Sequence, residues 1–186
     1  LLLTEYYKKD VVIVCSSNGW AGIVDYEEKK VLWQWSFGGG NFHSIEMMPN
    51  GDVVVAGSGD DGKIFYIPLS AGVTKPSHYI PSPSGHGVMY DPQNNWLWIL
   101  DYDEVYACAV VGAGTKDAKL ARIGGCDIKF TRDNDGHVLS PMFGEPGKYW
   151  VASSTRNYIF DSEEMTLTNA PSHYTNNKNG PELGIK

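Results

Sequence analysis

Short apolar runs separated by polar turns make up most of the chain. The runs are rich in Val, Ile, Tyr and Trp, as at residues 11–16 and 96–101, and the connections are rich in Gly, Asn, Asp and Pro, as at residues 49–51. Asn-Gly pairs supply the positive φ angles that tight β-hairpins need. Because helical periodicity is nearly absent, the pattern predicts an all-β protein built from antiparallel meanders.

The predicted strands fall into repeated sets, and three of the sets begin alike. In each of these, a Gly-rich approach precedes His43, His86 or Cys126, and a short apolar strand and a turn follow. His43 and His86 are 43 residues apart, and His86 and Cys126 are 40 residues apart. A repeat of roughly 40 to 45 residues is the length of a four-stranded propeller blade. The repeat therefore predicts a β-propeller, with a β-sandwich or an open β-solenoid as the alternative.

The same repeat predicts how the chain divides into blades. We expect about three and a half to four four-stranded blades of a larger propeller, truncated at both ends, because a closed propeller leaves no free sheet edge. The first meander is expected to supply the later strands of a blade whose inner strand is missing. The predicted units are a partial blade over residues 1–40, blades over 41–83, 84–123 and 124–183, and the start of another blade at 184–186.

Composition and charge exclude several classes of partner. The net charge is −7, and Lys and Arg occur singly or in pairs, so the chain lacks the clustered basic surface that phosphate recognition needs. We therefore expect no nucleic-acid partner. The longest apolar runs are far shorter than the roughly 20 residues that cross a bilayer, which predicts no membrane insertion. The three cysteines form no Cys-x-x-Cys motif, so neither a zinc site nor redox chemistry is indicated.

The residues that open the repeats are the candidate functional residues. Since inner strands of successive blades start at one face of a propeller, we expect His43, His86 and either Cys126 or Asp127 to lie together there on adjacent blades. Such a group is able to bind a divalent metal, or to transfer protons near neutral pH. A third interpretation is structural, in which the imidazoles only hydrogen-bond neighbouring loops.

Several other histidine, tryptophan and arginine residues are interpreted as structural or surface residues and not as part of the candidate site. Three histidines fall outside the register and are predicted to be surface or loop residues: His78, His137 and His173. Four tryptophans within strands are predicted to belong to the core between blades: Trp33, Trp35, Trp96 and Trp98. Two arginines beside turn residues are predicted to be solvated: Arg132 and Arg156.

Two motifs resemble a known family. His-Ser-Ile-Glu-x-x-Pro-Asn-Gly at residues 43–51 and Gly-His-Gly-Val at 85–88 resemble a bacterial and fungal β-propeller family of unknown function. That family is similar to seven-bladed propellers that act on rhamnose–glucuronate linkages in plant gums. The resemblance covers most of the chain. The family's third motif reads Gly-Gly-His-Asp, so Cys126 in Gly-Gly-Cys-Asp at 124–127 is a departure from it.

The resemblance implies a carbohydrate-active propeller, a lyase or hydrolase that acts on an acidic sugar linkage at the channel mouth. His43 and His86 would be the catalytic residues, and the expected substrate-binding residues are Asn41, Ser44, Cys126 and Asp127. A divalent metal is the one cofactor considered, and a secreted or periplasmic location is implied by the resemblance alone. The alternative is a non-catalytic propeller that binds a glycan or a protein through the same face.

Overall fold

The computed structural model describes residues 9–130 and 135–171 and confirms the all-β prediction. The described strands form four antiparallel sheets in which successive strands pair with one another. Blade 1 contains β1 (Val11–Ser16), β2 (Trp20–Asp25) and β3 (Val31–Ser36). Blade 2 contains β4 (Asn41–Met47), β5 (Val53–Ser58), β6 (Lys63–Ile67) and β7 (His78–Pro81), with a 3-10 turn at Leu69–Ala71. Blade 3 contains β8 (Gly87–Asp91), β9 (Trp96–Leu100), β10 (Glu104–Val111) and β11 (Lys119–Lys129), and blade 4 contains β12 (Gly136–Pro141), β13 (Lys148–Ser153), β14 (Asn157–Asp161) and β15 (Thr166–Asn169).

The first strands of the four sheets stand side by side. β4 contacts β1 on one side and β8 on the other, and β8 contacts β12. Inner strands surround the axis of a propeller and lie closest to one another, so this order is that of partial propeller blades. It also makes β1 the inner strand of blade 1. The prediction that blade 1 lacks its inner strand is therefore wrong, because the three strands described are its inner three.

The predicted boundary between the third and fourth blades is also wrong. Position 124 falls inside β11, which pairs with β10 along the outer edge of blade 3. The register passes from Tyr106↔Asp127 to Cys108↔Arg122, so residues 123–126 form a wide bulge opposite one residue of β10. This bulge carries the Gly-Gly pair that resembled the start of a blade. Blade 4 instead begins at β12, and the predicted further blade at 184–186 lies outside the described residues.

Three apolar clusters fill the spaces between successive blades. Trp33 and Phe65 lie between blades 1 and 2, and Trp98 and Phe160 lie between blades 3 and 4. Trp33 and Trp98 are buried as predicted, whereas Trp35 and Trp96 are partly buried against the same clusters. The thiol of Cys108 is buried and that of Cys15 is partly buried. Among the described residues, no helix has the length and apolar character needed to cross a membrane.

One carboxylic acid lies in the wall between two inner strands. Ser44 and Glu46 share the face of β4 that points toward β8, where Ser44 Oγ accepts a hydrogen bond from the backbone N–H of Val88 at 3.2 Å. Burial raises the pKa of Glu46 to about 7, although the backbone N–H of Tyr90 donates to its carboxylate and acts in the opposite direction. Glu46 therefore gains a proton on folding at mildly acidic pH.

Glu46→Gln is expected to stabilise the fold selectively at alkaline pH. Because the folded-state pKa lies above the ordinary value of 4.5, the wild type loses free energy of unfolding as pH rises from about 4.5 through about 7. The variant has no such loss, so it should exceed the wild type by about 2 kcal/mol near pH 8 and by little near pH 4. Urea unfolding at both pH values measures this. An equal difference at the two pH values, or the same gain in the exposed control Glu163→Gln, would contradict it.

Candidate functional site

Three histidines from successive blades form one row, which we call the histidine row: His43, His86 and His137. The ring centroids of His43 and His86 are 4.0 Å apart, with the rings inclined by 25°. Those of His86 and His137 are 4.9 Å apart, with the rings inclined by 80°. His43 and His86 are thus neighbours on adjacent blades, as the repeat predicts. His137 was expected to be a surface or loop residue, and that expectation is wrong.

Two β-bulges turn these side chains out of the sheets. In β4 the pairing passes from Phe42↔Gly57 to Ser44↔Ala56, which leaves His43 as the extra residue. In β12 it passes from Gly136↔Ser153 to Val138↔Ala152, which leaves His137 as the extra residue. A bulge re-aims the side chain of its unpaired residue. His86 reaches the same place directly before β8, where its backbone N–H donates to the carbonyl of Leu100 at 3.0 Å.

The outer members of the row have equivalent hydroxyl partners. Nε2 of His43 lies 2.8 Å from Ser58 Oγ, which also accepts a hydrogen bond from Asn41 Nδ2 at 3.0 Å. Nε2 of His137 lies 3.1 Å from Ser154 Oγ and 3.1 Å from Asp135 Oδ2. Ser58 is the last residue of the second strand of its blade, Ser154 directly follows the second strand of its blade, and in both blades a polar residue stands two positions before the histidine. The repeat therefore includes these partners as well as the imidazoles.

The central imidazole, His86, has its tautomer fixed by the backbone. Its Nδ1 lies 2.9 Å from the carbonyl oxygen of Ser84. A carbonyl oxygen only accepts hydrogen bonds, so Nδ1 of the neutral ring carries the proton and Nε2 carries the lone pair. Within residues 9–130 and 135–171, no group hydrogen-bonds Nε2. His86 therefore presents a basic nitrogen in the middle of the row.

The charges in the row are linked. Burial, followed by the positive charges of His86 and His137, lowers the pKa of His43 to about 4. The pKa of Asp135 is lowered mainly by the hydroxyl of Ser154, while burial opposes this and the two neighbouring histidines add to it. His43 is therefore neutral at physiological pH, and Asp135 is ionised beside His137.

The row does not have the geometry of a metal centre. His43 and His86 stack ring on ring, and Nε2 of His43 and Nδ1 of His86 already have oxygen partners. Zinc and related metals need three or four nitrogen, sulfur or oxygen donors that converge on one point. In the part of the chain that the structure describes, no three His, Cys, Asp or Glu side chains are placed to hold a metal ion. The residues present do not fit the divalent metal considered from the sequence.

The structure separates the other candidate residues from one another. Asn41 supports the row through Ser58, and Ser44 links β4 to β8. Cys126 and Asp127 lie on the outer strand β11, so the prediction that one of them joins the histidines is wrong. Asp127 is instead paired with Arg122 at 2.8 Å.

One further histidine, His78, lies on an outer strand. Nδ1 of His78 on the outer strand β7 accepts a hydrogen bond from the backbone N–H of Leu120 at 3.2 Å, so His78 lies outside the row as predicted. His173 and Arg132 lie outside the described residues.

His137 had a sequence signal that the spacing hid. Gly136-His137 repeats Gly85-His86, and a short apolar strand follows each. His86 and His137 are 51 residues apart, however, because the long bulged β11 lies between them. The glycines within that bulge fall close to the expected period, so in the sequence they resemble the start of a blade.

An open depression adjoins the row at Ser84. Its volume is about 750 Å³, and four carboxylates line it. Two of these have cationic partners, since Lys129 Nζ lies 3.3 Å from Asp103 and Arg122 lies 2.9 Å from Glu104. The depression is lined by Gly59, Asp60, Pro83, Ser84, Asp101, Tyr102, Asp103 and Glu104. A ligand that reaches the row from this side meets hydrogen-bond acceptors.

Comparison with known proteins places the chain by fold and not by function. No family model matches the chain, and no curated protein sequence matches it. A protein of unknown function from Bacteroides caccae, solved as a crystal structure, is 12% identical with a TM-score of 0.53 over 88% of this chain and 57% of its own.

A second solved structure is the β-propeller domain of Myceliophteria thermophila Cps50 (Swd1), 15% identical with a TM-score of 0.47 over 81% of this chain and 52% of its own. This second likeness is too distant to carry an argument. The chain thus spans a little over half the length of each of these structures. The first likeness concerns the fold alone, and the strand order identifies this chain as part of a β-propeller.

Proposed function

We propose that the histidine row is the acid–base site of a carbohydrate-active propeller that cleaves a uronide linkage by β-elimination. The observation that carries the proposal is the environment of His86. Its Nδ1 lies against the Ser84 carbonyl, none of the described groups hydrogen-bonds its Nε2, and it lies between two further imidazoles. A positioned imidazole with a free nitrogen is the usual general base near neutral pH.

The proposed reaction needs two proton transfers and no co-reactant. Nε2 of His86 takes the proton from C5 of the uronide, and the electrons of the C5–H bond form the C4=C5 double bond. The C4–O bond then breaks, and the leaving oxygen takes a proton from the imidazolium form of His137. His86 ends as the imidazolium with the proton from C5 and His137 ends neutral, so one proton passes from His86 to His137 before the next cycle.

Asp135 and His43 have supporting roles in this scheme. Asp135 accepts a hydrogen bond from Nε2 of His137 and so orients that ring, as the carboxylate does in other His–carboxylate pairs. His43 stays neutral and stacks on His86, which keeps the central ring in place.

Elimination is favoured over hydrolysis by the residues of the row. Most glycoside hydrolases use two Asp or Glu side chains that flank the scissile bond. Among the described residues, the hydrogen bonds of the row include one carboxylate, Asp135. Imidazoles, by contrast, suit the abstraction of a proton next to a carboxylate.

The test is a product assay on uronide polymers. The protein would be incubated with polygalacturonate, glucuronan and a rhamnose–glucuronate gum, and both ultraviolet absorbance of the C4=C5 product and new reducing ends would be followed. We expect both signals to rise together on at least one polymer. Reducing ends without absorbance would mean hydrolysis, and binding without either signal would mean a non-catalytic site. Each of these results overturns the elimination reaction.

A further inference from the structure

A second cavity lies between blades 3 and 4, away from the histidine row. Its volume is about 450 Å³, within the range of small-molecule sites. The turn after β8 forms one wall, and that turn lies at the opposite end of β8 from His86. The turn between β14 and β15 forms another wall, and the bulge of β11 forms a third. We call this cavity the inter-blade cleft.

The bulge of β11 contributes Gly125 and Cys126 to the lining of the inter-blade cleft. A Cβ atom added at Gly125 would meet no other atom within 4 Å, so the cleft is open at this position. Trp96 also lines the cleft, and it packs edge to face on Trp98, with centroids 5.9 Å apart and an interplanar angle of 77°. The cleft therefore places open space and an indole ring in one lining.

The lining of the inter-blade cleft combines an apolar floor with a polar rim. Trp96, Cys126 and Met165 supply apolar and sulfur surface. Gln93 and Asn94 supply amide donors and acceptors, and the exposed Glu163 supplies a carboxylate acceptor. Among the described residues that line the cleft, none is Lys or Arg.

We propose that the inter-blade cleft binds a neutral saccharide unit. A sugar ring has a C–H face that packs on an indole, and its hydroxyls reach outward to amides and carboxylates. The carboxylate of Glu163, which has no cation beside it among the described lining residues, disfavours an anionic ligand. The proposal does not depend on the reaction assigned to the histidine row, because the two sites share no residue.

Cys126 provides the readout, because its thiol lines the cleft. We expect D-galactose, D-glucose, cellobiose or lactose at saturation to slow alkylation of Cys126 by iodoacetamide about tenfold, since a bound ligand excludes the reagent. D-glucuronate should leave the rate unchanged. Cys15 is the internal reference, and Cys108 is buried with a pKa raised to about 12 by desolvation, so it should stay unmodified. Mass spectrometry of the digested protein separates the three thiols.

Paired variants locate the binding. Gln93→Ala and Glu163→Ala should lose the protection of Cys126 and keep the wild-type unfolding midpoint, because both side chains are exposed. Glu164→Ala is the matched control and should keep the protection, and so should His86→Gln, which separates this site from the row. Trp96→Phe should weaken the protection while preserving the fold. The proposal is overturned if no neutral sugar protects Cys126, if D-glucuronate protects it equally, or if Glu164→Ala behaves as Glu163→Ala.

Discussion

Replacing His86 by alanine is expected to lower kcat for uronide cleavage by about 10²- to 10⁴-fold, the usual contribution of a general base. The free energy of unfolding should change little, because His86 makes side-chain hydrogen bonds only to Ser84 among the described residues. Steady-state kinetics on the polymer that the protein cleaves, together with urea unfolding, measure both quantities.

Controls separate chemistry from folding. His78→Ala removes a histidine outside the row and should keep the wild-type kcat. His86→Asn is a second variant, whose side-chain amide places an N–H near the position of Nδ1 and still donates to the Ser84 carbonyl, so it should fold as the wild type does and remain inactive. A wild-type kcat in either His86 variant would contradict the proposal that His86 is the general base. Asp135→Asn should lower kcat less than the His86 variants, because Asp135 acts through His137.

Replacing Trp98 by alanine is expected to cost about 3 to 5 kcal/mol of the free energy of unfolding. Trp98 is fully buried, and its ring meets Phe160 of the next blade edge to face at 4.7 Å between centroids. Its Nε1–H donates to Asp91 Oδ2 at 2.9 Å, so the substitution leaves a cavity between the blades and a buried carboxylate with one donor fewer. Equilibrium unfolding in urea measures the loss.

Phe143→Ala is the matched control for Trp98→Ala. Phe143 is also aromatic, but it is 99% exposed, so its removal should change the free energy of unfolding by less than about 0.5 kcal/mol. The loss of free energy of unfolding in Trp98→Phe should fall between those of Trp98→Ala and Phe143→Ala, because phenylalanine keeps an aromatic ring at this position but loses the hydrogen bond to Asp91. A loss below about 1 kcal/mol in Trp98→Ala would mean that blades 3 and 4 are not held together by this cluster.

The local sequence pattern was sufficient to predict most of the strands and two members of the histidine row, His43 and His86. Short runs of apolar residues, rich in Val in β5 and in Trp and Leu in β9, identify these strands, because turn residues bound each run and each strand pairs with its neighbour. The equivalence of His43 and His86 follows from matching motifs at a blade-like spacing. Each of these features is encoded by residues that lie close together in the sequence, so a local pattern is enough to predict it.

Features set by contacts between distant residues could not be predicted in the same way. The bulge in β11 adds residues within a strand, so the spacing of the repeat points to Cys126, whereas blade 4 begins beside His137. Likewise, β1 is an inner strand because it contacts β4, which no property of its own sequence indicates. Ser58 and Ser154 reach their histidines across hairpins, 15 and 17 residues away.

Nitrogen–proton NMR of the histidine side chains, recorded across a pH titration, tests the histidine row most directly. We expect neutral His86 to carry its proton on Nδ1 and His78 to carry its proton on Nε2, as their hydrogen bonds require. The pKa of His43 should be about 4, and it should move toward the ordinary value of 6.5 in His86→Gln, because the charge of His86 contributes to the lowering. A proton on Nε2 of neutral His86, or a His43 pKa that does not respond to His86→Gln, would contradict the row as the acid–base site.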